Sequence, residues 1–336
     1  MKRIVLLMAL ASITLGRAQD LNDIFVSGVA DAERFANAYL APVSEASIFS
    51  ISNGWYNSAD AKPLGGFEIS IVGNLTGFKN KDDKKAFLLD PADYENLDFV
   101  NNPGQPRQVA TALGDIQGVR VFVEDQSGLF REEFELPTGL ASENLNFIPS
   151  GYLQGSVGLV KGLEVKARFL PKIKFDDDAK IGLFGAGIQY DFTKMLPADK
   201  VLPVAISAVI GYTNLSGEYD FTDSSTISGT DQRLDASFKT WNFSAVVSTK
   251  NIPVINFYGG LGYITGKSDI DLLGTYEANG PFFTQTVTDP FSVSKDASGV
   301  TANVGTKIKL GFFRLNAEYN ISEFSTFTFG VNFGFR

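Results

Sequence analysis

Eight charged residues sit at alternate positions within runs of small and apolar residues: Glu68, Glu164, Lys166, Arg168, Lys307, Lys309, Arg314 and Glu318. The opposite parity in each run is greasy. Leu163, Val165, Ala167 and Phe169, for example, interleave with Glu164, Lys166 and Arg168. A strand places alternate side chains on opposite faces, so these charges share a face from which apolar groups are excluded. Lining a pore, such a set makes a path for ions or solutes. In a narrow space the same groups neutralise one another as a salt-bridge network, and that reading is favoured here. Glu164 and Glu318 are an acid pair of the type used in hydrolysis, but nothing in their spacing brings them together.

The chain contains no histidine and no cysteine. Ser-His-Asp triads, histidine-dependent acyl chemistry, disulfides and thiolate metal sites are therefore excluded. Ser292-Val293-Ser294-Lys295 matches an S-x-x-K motif but falls in an expected loop, without the helix that this chemistry needs. Asp176-Asp177-Asp178 lacks the calcium-loop spacing. That tip and the Lys79–Lys85 cluster read as solvated surface charge. Gly185, Gly187, Gly260 and Gly262 read as inward glycines that make room for a neighbouring side chain. No catalytic, metal or cofactor-binding residue is assigned, and no enzymatic activity is expected.

The elements that must position the eight charges are strands. The last one is the clearest: Phe327, Phe329, Val331, Phe333 and Phe335 share one parity, and Thr328, Gly330, Asn332 and Gly334 the other. A water-soluble sheet would carry charge on its polar face, whereas a strand with lipid outside and a tight polar lumen inside reads like this one. Comparable alternation begins near residues 67, 152, 163, 184, 204, 241, 255, 300, 313 and 327. This predicts an all-β fold, a transmembrane antiparallel up-and-down barrel of about ten strands with a short N-terminal helix. The strand count has bounds of about eight and fourteen, because segments 44–60 and 105–136 can add strands. A secreted β-sandwich also alternates, but its strands run about 5–6 residues, against about 9–11 for a tilted bilayer crossing.

Connections near 161–162, 194–201, 250–253 and 311–312 are short and read as periplasmic. Those near 78–149, 174–180, 219–232 and 268–297 are long and read as outer loops, as does 321–323. Apolar-face aromatics sort into two girdles, with Phe192, Phe313, Phe333 and Phe335 at one end. Phe169, Tyr212, Trp241, Tyr263 and Tyr319 form the other.

Residues 1–19 read as a signal peptide, with Lys2 and Arg3, an apolar run from Ile4 to Leu15, and small residues before a cut after Ala18 or Gln19. Residues 20–63 read as a plug-like segment: a helix over 20–43 ended by Pro42, then an irregular stretch centred on Asn53-Gly54-Trp55-Tyr56-Asn57. The barrel then occupies 64–336, with a long outer insert at 78–149 that carries short strands at 118–124 and 129–135. The net charge of −9 and the lack of a basic domain exclude nucleic acid as a partner.

The segments Gly54-Trp55-Tyr56-Asn57-Ser58-Ala59, Tyr94-Glu95-Asn96-Leu97, Leu136-Pro137-Thr138-Gly139, Phe169-Leu170-Pro171-Lys172, Gly182-Leu183-Phe184-Gly185, Tyr258-Gly259-Gly260-Leu261-Gly262-Tyr263 and Gly334-Phe335-Arg336 carry a resemblance. Together they resemble an uncharacterised outer-membrane barrel family of Bacteroidetes, over essentially the whole mature chain. The N-terminal plug is also similar to that of FadL-like fatty-acid-transporter barrels, which usually have more strands. These resemblances imply the outer membrane of a Gram-negative bacterium. They imply outer-membrane lipid and the barrel-assembly machinery as partners, and a small amphipathic ligand if the lumen opens. Two functions follow: passive uptake of a small hydrophobic or amphipathic solute, or a sealed structural or docking barrel.

Overall fold

The computed structural model describes residues 28–124, 131–175, 178–197, 199, 201–221, 228–250, 252–280 and 283–335. The expected signal peptide, residues 20–27, Asp176, Asp177 and Arg336 lie outside the described residues.

Ten long antiparallel strands close into a barrel. They are β1 (Phe67–Gly77), β7 (Phe147–Val160), β8 (Leu163–Phe175), β9 (Ala179–Asp191), β10 (Val204–Asp220), β11 (Ser228–Thr249), β12 (Ile255–Gly280), β14 (Phe291–Leu310), β15 (Phe313–Ile321) and β16 (Thr326–Phe335). Each pairs with its neighbours in chain order, and β16 closes on β1 with Phe67 opposite Phe335 and Thr76 opposite Thr326. The final strand thus joins the first, as the even strand count requires.

Phe67, Ile69, Ile71, Leu153, Phe184, Ile206, Phe243, Leu261, Val304, Phe329 and Phe333 are all exposed on the outer wall. Glu68, Ser70, Gln154, Gln189, Ser207, Asn303, Thr328 and Asn332 are buried inside it. This is the reverse of a soluble protein, and only a lipid solvent makes it stable. The turns Lys161–Gly162 and Gly311–Phe312 mark the end that faces the periplasm by the usual rule for bacterial barrels.

The polarity of several strands inverts partway along. On β12 the outward Ile255, Phe257, Leu261 and Tyr263 give way to Lys267, Asp269 and Asp271 at the same parity. The inward parity changes from Asn256 to Ile264, Ile270 and Leu272, all buried. Strand β11 does the same: Val247, Phe243 and Trp241 face out along the membrane-spanning part, and Phe238 is fully buried farther up. The lipid-facing portion of β10 runs about ten residues. At ~3.3 Å per residue and a tilt near 40°, that spans roughly 25 Å, the height of an apolar band. Beyond it the outer face meets water and the inner face covers an apolar core, so polar and apolar sides exchange.

This inversion corrects the expected loop at 268–297. β12 runs on to Gly280, with β13 (Phe283–Thr288) paired against its end, and β14 resumes at Phe291. Ser292 and Ser294 therefore lie on a strand, where they donate to Asp271 and Asp269 at 2.5 and 2.6 Å.

The helix α1 spans Val29–Ser52, so the expected end at Pro42 and the irregular reading of 44–52 are also corrected. A proline inside a helix costs about 3 kcal/mol. Packing on both sides of it offsets that cost, because Tyr39, Leu40, Val43, Ala46, Ile48, Phe49 and Ile51 are all buried. Polar residues of the same helix are satisfied locally: Ser47 donates to the Val43 carbonyl and Ser52 to the Ile48 carbonyl.

The 78–146 connection is a folded cap. A one-turn helix, α2 (Asp82–Lys85), precedes two small sheets. The first pairs β2 (Ala86–Leu89) with β4 (Arg107–Ala110). The second joins β3 (Leu97–Phe99), β5 (Arg120–Glu124) and β6 (Arg131–Glu135). Its core of Leu97, Phe99, Val109, Leu113, Val121 and Leu136 merges with Phe35, Tyr39 and Val43 of α1 and with the inner face of the tall strands. The lysine cluster here is not free surface charge. Lys81 bonds Glu323 at 2.9 Å and Lys84 bonds Glu45 at 2.8 Å, which ties the cap to the β15–β16 turn and to α1. The Lys81 bond holds the Glu323 carboxyl below its usual range.

Candidate functional site

The lumen is the site, and chain fills it. After α1 ends, residues 53–63 descend through the membrane-spanning part of the barrel. The first level is built on Arg168, which is fully buried. Its guanidinium donates to the carbonyls of Ile51 at 2.9 Å and Asn53 at 2.7 Å, and to Gln154 Oε1 at 2.8 Å. It is stacked on Trp55 at 3.6 Å and on Tyr152 at 4.3 Å. Among the described residues no carboxylate pairs with it. It caps the end of α1, whose last carbonyls would otherwise be orphaned in the lumen, and the buried Glu318 carboxylate acts on it from beyond ion-pair distance. Tyr152 donates to the Asn53 carbonyl at 2.6 Å and completes the cap.

Trp55 comes next. Its ring lies over Gly187 and Gly211, where any side chain would fall inside the indole, and its edge reaches Gly185. Of the inward glycines read from the sequence, Gly187 makes room for this residue, whereas Gly262 faces Ser244 and Thr301. Tyr56 donates to Asn303 at 3.0 Å and packs against Tyr258, over Gly260. We predict that Gly211→Val unseats Trp55. In a Trp241→Phe background Trp55 is the remaining tryptophan. Its emission should shift to the red in the Gly211→Val protein as the indole meets water. An unchanged spectrum would mean that the indole does not occupy this seat.

Below Trp55 the backbone of the segment is taken up by the wall. The Ala59 amide donates to Ser248 at 2.9 Å, the Ala61 amide to Asp191 at 3.2 Å and the Lys62 amide to Glu164 at 3.0 Å. Gln189 donates to the Ser58 carbonyl at 2.9 Å, and Ser207 to the Ala59 carbonyl. Irregular backbone at membrane depth is stable only with such partners.

The periplasmic level is ionic. Glu68 accepts from Arg314 at 2.7 Å, Lys307 at 3.0 Å and Asn57 at 2.8 Å. Glu164 accepts from Lys166 at 2.6 Å and Lys62 at 3.0 Å. Lys62 also stands 3.7 Å from Glu68 and so links the two groups. Arg314 extends over Gly334, where a side chain would block it.

Six of the eight charges read from the sequence thus fall in two groups. Arg168 forms the upper one alone, and Glu68, Glu164, Lys166, Lys307 and Arg314 form the lower. Lys309 is half-buried at the periplasmic mouth, without an ion pair among the described residues. Glu318 is buried apart from Glu164, near Asn303, Asn320 and Tyr258, and one of its oxygens has no partner.

Sequence reasoning missed the plug's own contribution: Asn57 and Lys62, which carry the ionic network, and Trp55 as the partner of Arg168. The available signal was the pairing of a tryptophan outside the strands with several inward glycines on adjacent ones.

A closed barrel with a lipid-facing exterior and a polar interior defines the class: a transmembrane β-barrel of the outer-membrane type. The chain belongs to a family of unknown function, DUF6588, whose profile it matches over residues 1–335. No curated protein matches the sequence. Among solved structures it is similar to Ail, the attachment invasion locus protein of Yersinia pestis, at 12% identity and TM-score 0.27, covering 81% of this chain and 99% of that one. It is also similar to the translocator domain of the autotransporter NalP from Neisseria meningitidis, at 11% identity and TM-score 0.30, covering 83% and 90%.

Proposed function

We propose that this protein is a barrel of the Gram-negative outer membrane whose lumen is sealed by its own N-terminal segment and whose outer strands hold a folded cap above the bilayer. Its role is structural or docking, with outer-membrane lipid and the barrel-assembly machinery as its expected partners. The observation that carries this reading is the filling of the lumen at every level, from Arg168 under α1 to the Glu68 and Glu164 networks at the periplasmic mouth. Passive uptake of an amphipathic solute would require residues 53–63 to leave, and each level resists that. No enzymatic role is assigned, because Glu164 and Glu318 belong to separate surroundings and Glu164 is fully engaged by lysines.

Planar-bilayer conductance of the refolded chain tests the reading. The intact protein should show no steady single-channel steps. Stable open conductance would overturn the sealed barrel and restore uptake.

A further inference from the structure

The direction in which the plug runs carries a second consequence. The first turn of α1 is held by the cap: Asp31 accepts from the amides of Glu95 and Asn96, both at 2.9 Å, and Arg34 donates to the Asp93 carbonyl. Tyr39 donates to the Thr138 carbonyl at 2.6 Å. The last turn has reached the barrel wall, where Ser50 bonds Ser150 at 3.0 Å and its carbonyl accepts from Asn74 at 3.2 Å. The chain then passes Arg168 and Trp55's glycine seat and arrives at Glu164 through Lys62. Gly65 and Gly66 pair with Gly158 beside the periplasmic turn, and β1 starts upward from there. Residues 53–63 can span up to ~35 Å when extended, enough for one crossing of the apolar band. The chain therefore crosses the membrane once inside the lumen, from the cap side down, before the first strand crosses it again.

Only the lumen offers such a path. No described helix is long and apolar enough to cross a membrane, and α1 carries Asp31, Glu33, Arg34 and Glu45. The polar wall supplies what lipid cannot, namely partners for the segment's exposed backbone.

We propose that the barrel delivers polypeptide to the cell surface in cis: it carries its own α1 through the lumen to the outer side. The threaded segment 53–63 then stays behind as the plug. The proposal goes beyond the sealed-barrel reading, because a conducting barrel can hold the same thread.

The absence of cysteine allows a direct test. Glu33, exposed on the first turns of α1, and Lys161, exposed in the periplasmic turn, are each replaced by cysteine, Glu33→Cys and Lys161→Cys. Intact cells are treated with a membrane-impermeant maleimide. The Glu33→Cys protein should label in intact cells as fully as it does in detergent, and the Lys161→Cys protein only after the outer membrane is opened. Labelling of Glu33→Cys only after opening, or of Lys161→Cys in intact cells, overturns the proposal. An epitope placed directly ahead of Val29 gives a second readout. Antibody binding to intact cells supports delivery, and binding only to opened cells refutes it. Neither readout depends on conductance, so failure of the sealed reading and failure of this one remain distinguishable.

Discussion

Replacing Arg168 by alanine should loosen the plug and open the barrel to ions. The wild-type guanidinium holds two helix-terminal carbonyls, Gln154 and the Trp55 ring at once. After substitution the Ile51 carbonyl and Gln154 lose a charged donor within a buried space, and the indole loses its stacked cation. Each buried polar group left without a partner costs about 1–3 kcal/mol, and the cavity adds to that, so a total of about 3–5 kcal/mol is expected. Denaturant unfolding in detergent micelles measures the loss, and planar bilayers should show current steps absent from the parent. Arg168→Lys should recover only part of the stability. An ammonium is a point charge and cannot bridge Ile51, Asn53 and Gln154 in one plane. An alanine variant within about 1 kcal/mol of the parent, and still closed, would remove Arg168 from its role as the lock.

The second large effect is expected at Glu68. Its carboxylate receives Arg314, Lys307 and Asn57, and Lys62 lies just beyond. Glu68→Gln keeps the shape but removes the charge, leaving buried cations to face one another. Breaking a buried ion pair from one side costs about 3–5 kcal/mol, whereas removing both partners is far cheaper. Glu68→Gln combined with Lys307→Met should therefore be more stable than Glu68→Gln alone. The double-mutant cycle in micelles reads the coupling directly. Additive single effects would mean that the two residues do not act through each other and that the ionic level contributes little to holding the plug.

Both predictions concern contacts between the plug and the wall, and these were the least legible part of the sequence. The expected helix stopped at Pro42 because local propensity stops it there. Burial of Val43, Ala46, Ile48 and Phe49 on the far side of the proline continues it. The strands around 268–297 were missed for a different reason. Their alternation never ceases, but its sign reverses where lipid gives way to water, and a search for apolar residues on the lipid-facing parity ends at that boundary. Phe238, Ile264, Ile270 and Leu272 lie on the other parity, against the cap.

The period-two pattern by itself pointed to about ten strands and to the apolar parity that each turns to lipid. Those properties are local, because a strand's alternation is set by its own residues and by the solvent on each face. The tertiary structure alone decided what the inward residues meet. Lys307 and Glu68 are 239 positions apart, and Arg168 meets the Ile51 carbonyl across 117. No periodicity links such pairs. They form because the closed barrel leaves a narrow polar space at membrane depth, and the segment threaded through it must have every charge and every backbone group satisfied there.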